Sequence, residues 1–95
     1  MYQRLDDPID VVVVFERNRG AQSLGSGTRP SGLRPIRFRW KGSSFHIKEI
    51  TGRWQTRVGT ERKLHFSTLD QNSNFFQLSY DLSRSSWHLT KIYLD

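Results

Sequence analysis

Alternation of apolar and basic side chains over residues 36–41 restricts the fold of this chain more than any other feature. The two interleaved sets are Ile36, Phe38 and Trp40, and Arg37, Arg39 and Lys41. Because successive side chains of a β-strand point to opposite faces, a period of two predicts a strand with one buried face. The opposite face of that strand then carries a stripe of positive charge.

The same period recurs along the rest of the chain, and no segment shows the period of a helix. The predicted strands are 9–16, 36–41, 45–50, 64–68, 76–80 and 87–93, with 53–57 as a continuation of the third or a short strand of its own. We therefore expect an all-β fold, either a single small antiparallel barrel or a strongly bent meander of six strands. The unbroken run at 11–15 predicts that the first strand is buried on both faces.

The length of 95 residues accommodates one domain. We expect that domain to span residues 9–95, with a flexible loop rich in Gly and Ser at 18–34. Residues 1–8 are expected to be an N-terminal extension that can be disordered. Apolar residues make up only 35% of the chain and aromatic residues 13%, so aromatic rings have to supply much of the core volume.

Several classes of protein are excluded by what the sequence lacks. Without cysteine, the chain forms no disulfide, thiolate nucleophile or cysteine-based zinc site. Its longest apolar run, at 11–15, is far shorter than the ~20 residues of a membrane-spanning helix. Residues 1–8 contain no apolar stretch of the kind that signal peptides carry. These features predict a soluble cytoplasmic domain without a membrane partner.

Positive charge is concentrated in the middle of the chain. The formal net charge is +6, and residues 17–63 hold twelve of the fifteen Lys and Arg residues against two acids, Glu49 and Glu61. A concentrated positive field favours polyanions, of which nucleic acid is the most common in a cytoplasm. The alternative is a solvated basic face that keeps the protein soluble.

The candidate nucleic-acid-binding surface combines this charge with an aromatic side chain. Its predicted residues are Arg37, Arg39, Lys41, Lys48, Arg53, Trp54, Arg57, Arg62 and Lys63. Trp54 is flanked by polar residues, which makes it a candidate platform for base stacking. The alternative for Trp54 is a cap on the core, with its indole N–H bonded to a backbone carbonyl. Trp40 and Trp87 are in phase with apolar neighbours and are assigned to the core.

Catalytic and metal-binding arrangements are not indicated by the residue spacing. His46, His65 and His88 all alternate with apolar residues, so they can share the outer face, and we interpret them as surface histidines rather than a metal site. Asp70 and Asp81 are interpreted as turn residues rather than an acid–base pair. No nucleophile elbow, Walker-type loop or dinucleotide fingerprint occurs. We therefore predict that the protein is not an enzyme and binds no cofactor or metal.

One hairpin carries a resemblance to a known family. Residues 38–47, FRWKGSSFHI, resemble the F-x-W-x-G-x-x-aromatic-x-aliphatic hairpin of small bacterial β domains of unassigned activity. The resemblance extends in order over roughly residues 8–94, through Trp54, His65–Phe66, residues 76–81 and residues 87–93. Domains of that family also occur fused to proteins similar to Y-family DNA polymerases. The resemblance implies an all-β fold and an association with DNA repair.

These expectations converge on a non-enzymatic binding or accessory module with a basic surface. Its expected partner is nucleic acid or a DNA-repair protein. The alternative is a protein–protein interaction or homodimerisation domain that acts through a sheet edge, or through the valine-rich first strand.

Overall fold

The computed structural model describes residues 2–15 and 32–93, and all of their regular structure is β. The seven strands are β1 (Tyr2–Phe15), β2 (Leu33–Trp40), β3 (Ser43–His46), β4 (Glu49–Val58), β5 (Glu61–Leu69), β6 (Phe75–Asp81) and β7 (Ser86–Tyr93). The predicted all-β fold is confirmed. No helix in the described ranges is long and apolar enough to cross a membrane.

The strands form one antiparallel sheet in the order β3-β2-β1-β7-β6-β5-β4. This order has two ends, β3 and β4, so the sheet is open, and neither the closed barrel nor the count of six strands is confirmed. The predicted third strand is divided where the chain changes partner. Ile47 N–H donates to the carbonyl of Ile36 on β2 (3.0 Å), whereas Lys48 N–H donates to the carbonyl of Leu69 on β5 (2.8 Å).

The first strand joins the two parts of the sheet. Residues 2–9 of β1 pair with β7, and residues 10–15 pair with β2. The prediction that residues 1–8 form an extension is therefore wrong for residues 2–8, whose polar composition conceals their alternation. Of the predicted loop at 18–34, residues 18–31 lie outside the described ranges, and Leu33 and Arg34 already belong to β2.

The valine-rich run is buried on one face only, which corrects the prediction of burial on both faces. Val11 and Val13 pack against the core, whereas Val12 and Val14 are 42% and 39% exposed. The reason is that β1 still alternates here, and no second layer covers its outer face among the described residues. We call the core-facing side of the sheet the inner face and the opposite side the outer face.

Aromatic rings from the two parts of the sheet meet in the core. Phe76 on β6 lies 5.1 Å, between ring centroids, from both Phe38 on β2 and Phe45 on β3. Since β6 is not hydrogen-bonded to either strand, these contacts show that the β2–β3 hairpin folds over the inner face of β6 and its neighbours. Leu78 and Leu89 lie beneath it and are fully buried.

Candidate nucleic-acid interface

The basic stripe of β2 lies on the outer face because the side chains between its members form the core. Phe38 is only 2% exposed and packs against Phe76, so Arg37 and Arg39 on either side of it point outward and are exposed. Arg37 lies opposite Val12 on β1 and His46 on β3. The positive stripe inferred from the alternation is thus present on β2.

A tight turn adds Lys41 to this stripe. Trp40 and Ser43 are paired across a two-residue turn in which Lys41 and Gly42 both have positive φ, 52° and 79°. Two positive φ values are typical of the type I′ turn, whose twist matches that of the flanking strands, and glycine adopts them without strain. The Lys41 ammonium lies 5.0 Å from the centre of the Trp40 ring, which holds it beside the end of β2.

Two adjoining open grooves expose these side chains. The first has a volume of about 280 Å³ and is lined by Asp10, Val11, Val12, Arg37, Phe38, Arg39 and Ser44. The second has a volume of about 350 Å³ and is lined by Pro8, Ile9, Asp10, Arg39, Lys41 and Gly42. Both grooves are lined by Arg39 and Asp10, so they adjoin each other, and we call the two together the basic groove.

Asp10 is the one acidic residue among the described residues that line the basic groove. It lies opposite Arg39 in the β1–β2 ladder, where directly opposed side chains have their Cβ atoms about 4.5–5.5 Å apart. Among residues 2–15 and 32–93, neither Arg37 nor Arg39 forms an ion pair with a carboxylate. The groove therefore keeps a positive excess, with three basic side chains against one acid.

The arginines of the β4–β5 hairpin are not on the same face as Trp54. Arg53 lies opposite the buried Phe66, and its guanidinium carbon is 5.9 Å from the centre of that ring. By alternation, Arg57 and its partner across the hairpin, Arg62, share this inner-facing side beyond the core. Arg62 is half-buried, and its Nε atom is buried without a hydrogen-bond partner among the described residues.

Trp54 stands on the outer face of the same hairpin. It lies opposite His65, and the two rings are stacked, with centroids 5.2 Å apart and planes 12° from parallel. Nε2 of His65 is 2.8 Å from Oγ1 of Thr56, which fixes the imidazole under the indole. Lys63 lies opposite Thr56 and is exposed on this face. Lys48 is exposed in the link between β3 and β4.

The nine predicted residues are thus distributed among separate surfaces rather than one patch. The basic groove holds Arg37, Arg39 and Lys41, the outer face of β4 and β5 holds Trp54 and Lys63, the inner-facing side holds Arg53, Arg57 and Arg62, and Lys48 lies in the link. Alternation along β4 separates Trp54 from Arg53 and Arg57. Trp54 therefore does not share a face with those two arginines.

The structure also reveals an aromatic cluster that the sequence reasoning missed. Tyr2 is 63% exposed, with its ring centroid 4.8 Å from that of Tyr93 and 5.8 Å from that of Phe75. The Lys91 ammonium lies 5.5 Å from the centre of the Tyr2 ring. The available signal was the alternation over residues 2–7, but Leu5 is the one apolar member of its inward-facing set.

The remaining polar candidates have structural partners. Asp70 Oδ1 accepts hydrogen bonds from the amides of Asn72 and Asn74, and Asp81 Oδ1 accepts from those of Ser83 and Arg84. Both aspartates are turn residues, as predicted. Within the part of the chain that the structure describes, no three His, Cys, Asp or Glu side chains are grouped as metal ligands would be.

Comparison of the chain with protein-family models, with curated proteins and with solved structures gives no match in any of the three.

Proposed function

We propose that this chain is a binding module for nucleic acid that acts through the basic groove and performs no reaction itself. The observation that carries the proposal is the convergence of Arg37, Arg39 and Lys41 on two adjoining grooves that share Arg39. Guanidinium and ammonium groups neutralise phosphates and release counterions, which supplies most of the affinity of nonspecific nucleic-acid binding. A net charge of +6 adds long-range attraction for a polyanion.

The choice of DNA as the ligand, and of a repair protein as a companion, is based on the resemblance of residues 38–47. That hairpin resembles domains fused to proteins similar to Y-family DNA polymerases, which supports DNA as the ligand and a repair protein as a companion. In this proposal the protein acts in the cytoplasm.

The test is binding of a fluorescent single-stranded DNA, measured by anisotropy over salt concentrations of about 50–200 mM. The wild type should bind with an affinity that falls steeply with salt. The double variant Arg37→Glu/Arg39→Glu should bind more weakly, and its slope of log K against log salt should be smaller by about 1.4, or about 0.7 for each lost phosphate contact.

A charge-matched control separates the basic groove from net charge. Arg4→Glu/Arg84→Glu lowers the net charge by the same amount, and both arginines are exposed and lie outside the groove. This control should retain most of the affinity and the wild-type slope. Equal losses in the two double variants would show that only net charge matters, and the absence of salt-sensitive binding by the wild type would reject the function.

A second function, pairing with a protein strand, is favoured by the position of β4. This strand is ten residues long and pairs only with β5 among the described strands. An unpaired edge offers backbone N–H and C=O groups to an added strand, including that of a second copy. Replacing Gln55 by Pro would remove one of the amides of β4. If sedimentation shows a dimer that this substitution dissociates, edge pairing is supported; a monomer at high concentration would reject homodimerisation.

A further inference from the structure

The stacked pair Trp54 and His65 has an open end. Trp54 is on β4, the last strand of the sheet, and its indole is stacked on one side against the imidazole from β5. On its other side the sheet has no further strand in the described ranges. Trp54 is 42% exposed, which is a large fraction for a side chain with so much apolar surface.

Two neighbours fix the position of the indole: the imidazole of His65 on one face and the backbone of Gly52 at its edge. The half-buried His65 has Nε2 bonded to Thr56, and its Nδ1 is buried. Gly52 lies two residues before Trp54 on the same outer face, and a Cβ at this position would be 3.8 Å from Cζ3 of the indole, an ordinary contact distance. Because its support is preformed, the indole can accept a flat group without a large ordering cost.

The charge beside the indole favours an anionic ligand. Lys63 is exposed on the outer face, two residues before His65 on β5, and lies opposite Thr56. Its neighbour on β6 is Asp81, which is buried and whose Oδ1 is occupied by two backbone amides. No ion pair joins Lys63 to Asp81 among the described residues. A flat aromatic surface next to an ammonium group matches a base followed by a phosphate.

We propose that the Trp54–His65 pair is a stacking site for an unpaired nucleobase, so that the ligand of this module is single-stranded nucleic acid. The inference rests on the proposed function and specifies its substrate class. A base within a duplex is already stacked on both faces, whereas an unpaired base can extend the column formed by the imidazole and the indole. Stacking on an aromatic side chain is worth about 1–3 kcal/mol per base, which corresponds to about 5- to 150-fold in affinity.

The experiment compares three DNA probes on the full chain by anisotropy at one low salt concentration. The probes are a short thymidine strand, an abasic strand with the same number of phosphates, and a duplex of the same length. The wild type should bind the thymidine strand about 5- to 150-fold more tightly than the abasic strand. Trp54→Ala should abolish this preference and leave the affinity for the abasic strand unchanged, while Trp54→Phe should retain part of it.

Val58→Ala is the matched control, since Val58 is on the same strand and highly exposed. It should bind all three probes as the wild type does. Urea unfolding of each variant checks that the fold is intact. Equal binding of the thymidine and abasic strands by the wild type would overturn the stacking site and leave the proposed function standing. If Trp54→Ala lost affinity equally for the thymidine and abasic strands, Trp54 would have a structural role and the stacking site would be overturned. Failure of the wild type to bind any probe would reject the proposed function itself.

Discussion

Nε1 of Trp40 donates a hydrogen bond of 2.9 Å to Oδ2 of Asp7, thirty-three positions earlier in the chain. Trp40 ends β2, and Asp7 lies in the part of β1 that pairs with β7, so this bond joins the two parts of the sheet. The same indole packs against the core and holds Lys41 over its ring. One tryptophan thereby positions the end of the basic groove.

Removal of this bond should destabilise the fold. Asp7→Ala leaves the half-buried indole N–H without its acceptor, and hydrogen bonds to charged groups are worth about 1.5–3 kcal/mol. We expect Asp7→Ala and Trp40→Phe each to lower the free energy of unfolding in urea, and the double variant to lose less than the sum of the two. Asp6→Ala, which changes an exposed neighbour, is the control and should have little effect. Strict additivity would show that the bond contributes nothing.

How far the fold and site could be predicted depends on how local each signal is. The outward direction of Arg37 could be inferred because Phe38 and its neighbours alternate within one strand. The change of partner at residues 47–48 could not, since it depends on β5, which lies elsewhere in the sequence. The contacts of Tyr2 could not either, because they depend on the pairing of β1 with β7, which is distant in the sequence.

Arg57 and Arg62 lie directly opposite each other in the β4–β5 ladder, an arrangement in which like charges repel. Arg57→Glu should therefore raise the free energy of unfolding by about 0.2–1 kcal/mol, with the gain reduced by added salt. The measurement is urea unfolding at low and high salt. Arg84→Glu makes the same change in net charge within a turn and is the control. A gain no larger than that of the control would show that the two guanidinium groups do not repel.

Gly52 is close to Ser67 across the same hairpin. A Cβ at position 52 would lie 2.8 Å from Oγ of Ser67, which must then rotate away from its 3.0 Å contact with Oγ1 of Thr51. Gly52→Ala should thus lower the free energy of unfolding by about 1 kcal/mol. In a Ser67→Ala background the same change should be neutral or stabilising, because alanine restricts the unfolded chain without strain at this φ. A cost that is unchanged in that background would locate the strain in the backbone.

His65 should make stability depend on pH. Burial lowers the pKa of His65 from its ordinary value of 6.5, and the charge of Lys63 lowers it further. The buried Nδ1 has no acceptor in the part of the chain that the structure describes, so the proton of an imidazolium would be unsatisfied there. The unfolded chain binds a proton near pH 6.5 and the folded chain only at lower pH, so the unfolded state holds more protons between the two values.

The stability associated with neutral His65 is therefore complete above about pH 6.5 and is lost progressively as the pH falls towards the folded pKa. Urea unfolding at several pH values should show this decrease for the wild type and for the control His46→Gln, whose side chain is exposed on β3. His65→Gln should flatten the profile. Lys63→Gln should raise the pKa of His65, measured by NMR titration, since it removes the nearby positive charge. A profile for His65→Gln that runs parallel to the wild type would mean that this imidazole is not the group that titrates.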